Sequence, residues 1–220
     1  MISKRQQFVK RIFDVILATV GLVAVGWLIG LVALIARWDT GKSGIFRQMR
    51  VGRNGELFDI LKVRTMRDVS GFDTSVTTSS DPRITQLGRL FRLTKIDELP
   101  QLLNILRGEM SFVGPRPDVP AIANRLQHEA PLVLKVRPGI TGPASLKYRN
   151  EEQLLQTHAD PEWANWHVVF PDKMRINTSY VENYRFTKDL RYLWQTIFGT
   201  YSAVAIQEIT QGVSHDQHAA

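Results

Sequence analysis

Asp97 and Glu98 stand side by side in the run Phe91-Arg-Leu-Thr-Lys-Ile-Asp-Glu-Leu-Pro-Gln101, at the start of an amphipathic helical pattern. Arg89, Arg92 and Lys95 closely precede them. A carboxylate pair among cations can hold a divalent metal ion, or attack a phosphorus whose oxygens those cations neutralise. As a helix N-cap, Asp97 would accept backbone N–H bonds and feel the positive end of the dipole, so it would stay ionised at neutral pH. The plain structural alternative makes Asp97 a cap and Glu98 a first-turn acid and nothing more. The neighbouring cations favour chemistry.

Other cations suited to phosphate lie elsewhere in the chain. Lys62 and Arg64 fall at alternate positions of a predicted strand, hence on one face. Arg116 is held between two prolines, and Arg137 precedes Pro138-Gly139. Arginine forks match phosphate oxygens bidentately, and proline flanks fix Arg116 at little entropic cost. Taken singly, each reads as solvated surface charge, and spacing along the chain does not establish that they converge.

The remaining catalytic templates are missing. The chain has no Walker A loop, no Gly-x-Gly-x-x-Gly and no His-Glu-x-x-His, and His128, His158 and His167 are scattered. With no cysteine, disulfides, thiolate catalysis and cysteine-ligated zinc are excluded. The net charge of +7 suits nucleic acid, anionic lipid headgroups or phosphorylated small molecules. A helix-turn-helix over residues 84–107 fits poorly, because Glu98–Leu106 presents apolar residues where base-reading side chains belong. No nucleic-acid partner is expected.

Val15 to Ala36 is an uncharged apolar run of 22 residues, bounded by Lys10, Arg11 and Asp14 before it and Arg37 after it. As a helix it measures roughly 33 Å, enough to cross a bilayer core. It is long for a signal peptide and lacks a cleavage pattern. Cations at both ends give no clear orientation, and Gly26-Trp27 offers a break with an interface-seeking indole beside it. Hydropathy alone supports a single span; the alternative is a bent helix that enters and leaves one leaflet.

The rest of the chain reads as α+β and mostly helical. Residues 45–66 form a hairpin turning at Gly52-Arg-Asn-Gly55, where Asn-Gly is the turn signal. Asp68 to Asp81, rich in Ser, Thr, Asp and Gly, reads as a loop. Helical spacing follows at Leu87, Leu90 and Phe91, and again at Leu99 to Leu106, with Gly108 placed to end the second helix. Gly114-Pro-Arg-Pro117 demands a rigid extended turn. Further helices are expected around Val119–His128, Glu151–His158 and Lys173–Asn183. Leu190, Leu193, Trp194, Ile197, Phe198 and Tyr201 make a stripe that suits either core packing or an in-plane membrane helix. Three regions result: a membrane-associated helix over 1–40, a catalytic domain over 41–207 and a tail over 208–220.

These pieces together resemble the bacterial sugar transferase family, the small monotopic phosphoglycosyl transferases. The resemblance is carried, in order, by Lys10-Arg-Ile-Phe-Asp14, Phe46-Arg-Gln48, Val51-Gly52, Lys62-Val-Arg-Thr-Met66, Leu87-Gly-Arg-Leu-Phe-Arg92 and Asp97-Glu-Leu-Pro-Gln101. It continues with Asn104, Gly108, Met110-Ser111, Gly114-Pro-Arg-Pro117 and Arg137-Pro-Gly-Ile-Thr-Gly142. It implies transfer of a sugar 1-phosphate from a UDP-sugar to polyprenyl (undecaprenyl) phosphate with release of UMP, the first step of capsule, exopolysaccharide, O-antigen or glycoprotein glycan assembly. By the same resemblance Asp97 attacks the sugar-linked phosphorus and forms a covalent intermediate, and Glu98 helps hold Mg²⁺. Lys62, Arg64, Arg92, Arg116 and Arg137 become phosphate-binding or site-organising residues. A re-entrant membrane helix, interfacial amphipathic helices and a compact helical domain on the cytoplasmic face of the bacterial inner membrane are implied as well. So are membrane lipids as partners, with downstream glycosyltransferases and a second copy of the chain as further candidates.

Two features depart from the family. Its membrane helix usually breaks at Ser-Pro, where this chain has Gly26-Trp27, and glycine bends a helix less firmly than proline. Gly142 is followed by Pro143-Ala-Ser-Leu-Lys-Tyr-Arg149 in place of a Trp-Ala-Gln-containing run, which points to a subgroup with its own sugar preference. A non-catalytic membrane scaffold for glycan enzymes and a tethered nucleic-acid binder are the competing classes; both leave the carboxylate pair without a task.

Overall fold

A computed structural model describes residues 2–69, 81–156 and 158–199. The expected loop over Asp68–Asp81, Tyr201 of the C-terminal stripe and the tail lie largely or wholly outside those residues. Helix α1 (Lys4–Thr40) opens the chain, capped by Ser3 in a capping box with Gln6 and closed by Gly41 at φ 73°. The antiparallel hairpin β1 (Ile45–Val51) and β2 (Leu57–Val63) follows, with Ile45 opposite Val63 and Val51 opposite Leu57. Its turn puts Asn54 at φ 58° and Gly55 at φ 81°, the conformation that the Asn-Gly pair predicts. Helices α2 (Gln86–Thr94) and α3 (Gln101–Arg107) come next, separated by a 3₁₀ turn over Ile96–Glu98. Gly108, at φ 88°, ends α3 as expected.

Strand β3 (Ser111–Val113) pairs in parallel with β4 (Gly139–Thr141), Ser111 facing Gly139. Between them lie a 3₁₀ turn over Pro120–Ile122 and α4 (Ala123–Glu129). The remainder is helical: α5 (Pro143–Lys147), α6 (Glu151–Gln156), α7 (Pro161–Ala164), α8 (Phe170–Glu182) and α9 (Phe186–Phe198). A π-turn over Asn165–Val169 joins α7 to α8. The β3–β4 pair was not anticipated. Its strands are three residues each, β3 directly preceding the turn expected at Gly114–Pro117. They approach so closely that a Cβ on Gly139 would sit 2.1 Å from the Gly114 nitrogen.

Helix α1 is longer than its apolar run, about 55 Å at 1.5 Å per residue, and long and apolar enough to cross a membrane. Its helical bonding is unbroken from Lys4 to Thr40, so the interruption expected at Gly26-Trp27 is absent. Glycine keeps the N–H that proline lacks, and helical bonding can pass through it. One stripe of α1 packs on the domain along most of its length. Ala18 joins Phe58, Ile60, Leu102, Ile105 and Met110, while Val32 and Ala36 pack with Val63 and Phe91. The opposite stripe is bare: Val23 is 81% exposed and Trp27 70%. Leu90 and Leu93 on α2, and Trp194, Ile197 and Phe198 on α9, are further exposed apolar side chains.

Polar handholds fix the N-terminal half of α1. Arg11 donates to the carbonyls of Ile105 and Leu106, satisfying the C-terminus of α3. Asp14, buried, accepts from Ser111 Oγ and the Phe112 N–H, both at 3.1 Å. Lys10 donates to Asp189 Oδ2 at 2.5 Å, and Tyr180 and Tyr184 donate to the same carboxylate. Asp189 therefore joins α1, α8 and α9. Removing one partner of such a buried pair strands the other charge and costs about 3–5 kcal/mol. Asp189→Ala is expected to lower the thermal midpoint by about 10 °C in a chain of this size, with a smaller drop for Asp189→Asn, as read by a melting curve in detergent.

Candidate functional site

Lys95 adopts the left-handed conformation, φ 59°, unusual for a residue with a side chain. That reversal ends α2 and starts the 3₁₀ turn, with the Glu98 N–H donating to the Lys95 carbonyl and Leu99 to Ile96. Asp97 and Glu98 lie inside the turn, both buried, at 6% and 9% exposure. Asp97 is therefore not the N-cap of α3, which begins after Pro100 with no side-chain cap. Pro100 stands at the start of α3 instead, and the left-handed Lys95 that opens the 3₁₀ turn leaves no signature in the sequence.

Glu98 is the fixed member of the pair. Its Oε1 accepts from Arg116 Nη2 at 2.8 Å and lies 3.4 Å from Lys62 Nζ. Burial alone would raise its pKa, but the Arg116 guanidinium and the Lys62 ammonium overcome it and hold the group well below the usual carboxylate range. Arg116 is correspondingly raised by Glu98. Its side chain is still 46% exposed, leaving part of the fork to a ligand.

Asp97 behaves differently. Burial, and next to it Glu98, raise its pKa, while Lys62, Lys95 and Arg92 pull it back. Its Oδ1 is sealed and meets no donor among the described residues. The pair thus divides into an ion-paired Glu98, held in its charged form, and a destabilised, more basic Asp97. Burial lowers Lys62 to about 8, with Arg116 adding repulsion and Glu98 and Asp97 opposing it.

Lys62, Arg92, Lys95 and Arg116 therefore lie around the carboxylates. Arg64 and Arg137 are engaged elsewhere. Arg64 lies just past the end of β2, where Nε donates to the Ser43 carbonyl and the guanidinium lies over the Phe46 ring, 5.3 Å from its centroid. Arg137 donates from Nε to the Gly108 carbonyl, at the end of α3 remote from the carboxylates, and faces Arg11 and Arg53. Alternation cannot carry Lys62 and Arg64 to one place once the strand stops at Val63.

Sequence reasoning missed Asp118, which burial pushes up to about 6 close to Lys173, Arg50 and Arg116. It follows the Gly-Pro-Arg-Pro turn directly, the only signal that could have marked it. Gln101 also went unassigned, although it belongs to the motif. As to metal, the described residues contain no group of three or more His, Cys, Asp or Glu side chains able to hold an ion. Mg²⁺ is commonly held by one or two carboxylates together with substrate phosphates. Glu98 Oε2, which takes neither cationic bond, and Asp97 are the oxygens available.

The site is thus a carboxylate pair with converging cations, built where an apolar helix meets an α+β domain. The profile of the family described as bacterial sugar transferase matches residues 5–203. The chain belongs to that family. It is 33% identical over 204 residues to the exopolysaccharide production protein ExoY of Sinorhizobium fredii, covering 86% of this chain and 83% of that one. It is 32% identical over 193 residues to the UDP-glucose:undecaprenyl-phosphate glucose-1-phosphate transferase of Caulobacter vibrioides, covering 86% and 68%. It is 42% identical over 153 residues to the undecaprenyl-phosphate glucose phosphotransferase of Komagataeibacter xylinus, covering 66% of this chain and 29% of the relative.

Lys62 gives the site a pH dependence. Between about 8 and 10.5 the unfolded chain keeps a proton that the folded chain has shed, so this group's contribution to stability rises with pH there. Anion binding moves the opposite way, because the ammonium charge disappears above about 8. Affinity for inorganic pyrophosphate, by calorimetry, is expected to fall as pH rises through 8 and to hold its value in Lys62→Arg. Undiminished wild-type binding at pH 9.5 would remove Lys62 from the anion site.

Proposed function

We propose that this protein transfers a sugar 1-phosphate from a UDP-sugar to polyprenyl phosphate, undecaprenyl phosphate in the bacterial cell, and so initiates a surface glycan. The carrying observation is the unequal carboxylate pair: Glu98 bound to Arg116 and Lys62, and Asp97 beside it, raised and unpaired. The relatives from Caulobacter and Komagataeibacter are named for sugar-phosphate transfer to undecaprenyl phosphate, and ExoY for exopolysaccharide production. A scaffold has no need of such a pair.

In this reading the diphosphate of the UDP-sugar lies against Arg116, Lys62 and Arg92. An Asp97 carboxylate oxygen forms a bond to the sugar-linked phosphorus as the bridging P–O bond breaks, and UMP leaves with that electron pair. An oxygen of polyprenyl phosphate then attacks the same phosphorus, the acyl-phosphate bond breaks, and Asp97 returns as a carboxylate. Lys62 and Arg116 keep Glu98 ionised throughout and balance the phosphate charge. Glu98 Oε2 would hold Mg²⁺, which supplies further neutralisation of the diphosphate when bound. Asp97→Asn is expected to lower UMP release by at least about 10³-fold, in keeping with loss of a nucleophile. A panel of UDP-sugars in the same assay identifies the donor. Near-normal turnover of Asp97→Asn would refute the nucleophile.

We infer further that α1 stays within one leaflet of the inner membrane, both ends cytoplasmic and the domain on the cytoplasmic face. Supporting this, Lys10, Arg11 and Asp14 near one end and Val32 and Ala36 near the other all rest on the same domain. The bare stripes of α1, α2 and α9 supply apolar surface for lipid. Arg5→Cys and Lys42→Cys, each placed singly in this cysteine-free chain, are expected to react with an impermeant thiol reagent from the same side of sealed vesicles. Labelling from opposite sides would establish a span.

A further inference from the structure

Arg116 reaches Glu98 from a turn in which both of its neighbours are prolines. A proline has no N–H, so such a turn is held mainly through its carbonyls. The Pro115 carbonyl accepts from the Gly139 N–H and the Asp118 carbonyl from the Val51 N–H, both at 2.8 Å. Between these two backbone bonds, the Pro117 carbonyl accepts from Arg50 Nη1 at 3.3 Å. Of the three, only the Arg50 bond is made by a side chain.

Arg50 lies near the end of β1, and Gln48 and Lys62 share its face of the hairpin. Its Nη2 donates to Gln48 Oε1 at 2.6 Å, so two bonds from two nitrogens fix the guanidinium plane. This placement is costly. Nε is sealed and meets no acceptor among the described residues, and Arg116 adds like-charge repulsion. A turn needing only backbone support has no use for a half-buried guanidinium here, since a neutral donor satisfies a carbonyl without the repulsion. What arginine adds is a planar fork, held at a set angle, that extends from the hairpin to the turn.

We propose that Arg50, braced by Gln48, is a positioning residue for Arg116: it grips the Pro117 carbonyl and so aims the Arg116 fork at Glu98 and at the diphosphate of the UDP-sugar. Arg50 acts through Arg116 and not on the substrate. With the grip lost, the turn keeps its two backbone bonds, while Arg116 is free to swing away from the ligand. The inference deepens the reading above and rests on it.

The test uses the full chain in detergent. It reads inorganic pyrophosphate affinity by calorimetry and the kinetic constants for the UDP-sugar that the panel identifies. Arg50→Gln is expected to weaken pyrophosphate binding by about 10-fold, as for loss of one bond to a charged group. KM is expected to rise by a similar factor, with kcat within about 3-fold. Arg50→Lys keeps the charge without the fork and is expected to recover little of the loss. Gln48→Leu leaves Arg50 in place and is expected to weaken binding by about 3-fold. The deciding measurement is the double-mutant cycle with Arg116→Gln. Because Arg50 works through Arg116, the double variant is expected to bind pyrophosphate no more weakly than Arg116→Gln alone. Losses that multiply would overturn the proposal, as would wild-type binding in Arg50→Lys. A merely structural role lowers the thermal midpoint and leaves the affinity of the folded protein unchanged. If Arg50→Gln does not fold, Gln48→Leu decides, and unaltered affinity in that variant overturns the proposal. Pyrophosphate binding needs no turnover. Absence of UMP release by the wild type therefore counts against the reaction, and a multiplicative cycle against Arg50.

Discussion

The arrangement turns on keeping Glu98 ionised while it is nearly sealed from water. An isolated buried carboxylate would take up a proton, since the desolvation cost reaches several kcal/mol. Arg116 at 2.8 Å and Lys62 at 3.4 Å prevent this, and they come from different elements. Lys62 stands on the second hairpin strand, and Arg116 sits in the turn that leaves β3. One carboxylate thus joins the hairpin, the turn and the start of α3. Asp97 gains from the same cations but makes no bond to them, which leaves it destabilised as an anion and open to react.

Around that centre the helix ends carry unusual local geometry. Lys95 is left-handed, at a cost of about 1–3 kcal/mol for a side-chain-bearing residue, and so turns the chain sharply enough to place Asp97 and Glu98 inside a 3₁₀ turn. At the other end of α3, Arg11 satisfies two terminal carbonyls and Arg137 the carbonyl of Gly108. Arg137 contributes to the site by holding the far end of the helix that bears it. An arginine expected at a phosphate thus serves the backbone instead.

What the sequence disclosed and what it withheld follow from the range of each interaction. Asn54-Gly55 and Gly108 act over a few residues, and the hairpin and the end of α3 lie where these residues predict. The carboxylate pair was legible from its own neighbours for the same reason. Lys95 was not, because only its backbone angle distinguishes it. The β3–β4 pair depends on three glycines, Gly114, Gly139 and Gly142, whose close approach spans more than twenty residues of chain. Lys10 with Asp189 and Glu98 with Arg116 are similarly remote in sequence.

The long helix shows how one segment can satisfy opposite demands. Its polar residues Lys10, Arg11 and Asp14 each have a partner on the domain, so their charges and donors are already met where α1 begins. Beyond Asp14 the buried stripe turns apolar, through Ala18 to Val32 and Ala36, and the small side chains let the helix lie close to β2 and α3. The outer stripe then has no polar work left and carries Val23 and Trp27 bare. A free-standing span has no reason to keep a small-residue stripe along one side and bulky residues along the other, since lipid is uniform around it. A helix lodged between a protein surface and lipid has that reason. The same packing sets the carboxylates close to α1, because the residues that seat it, Leu102 and Ile105, belong to the helix that follows the carboxylate turn.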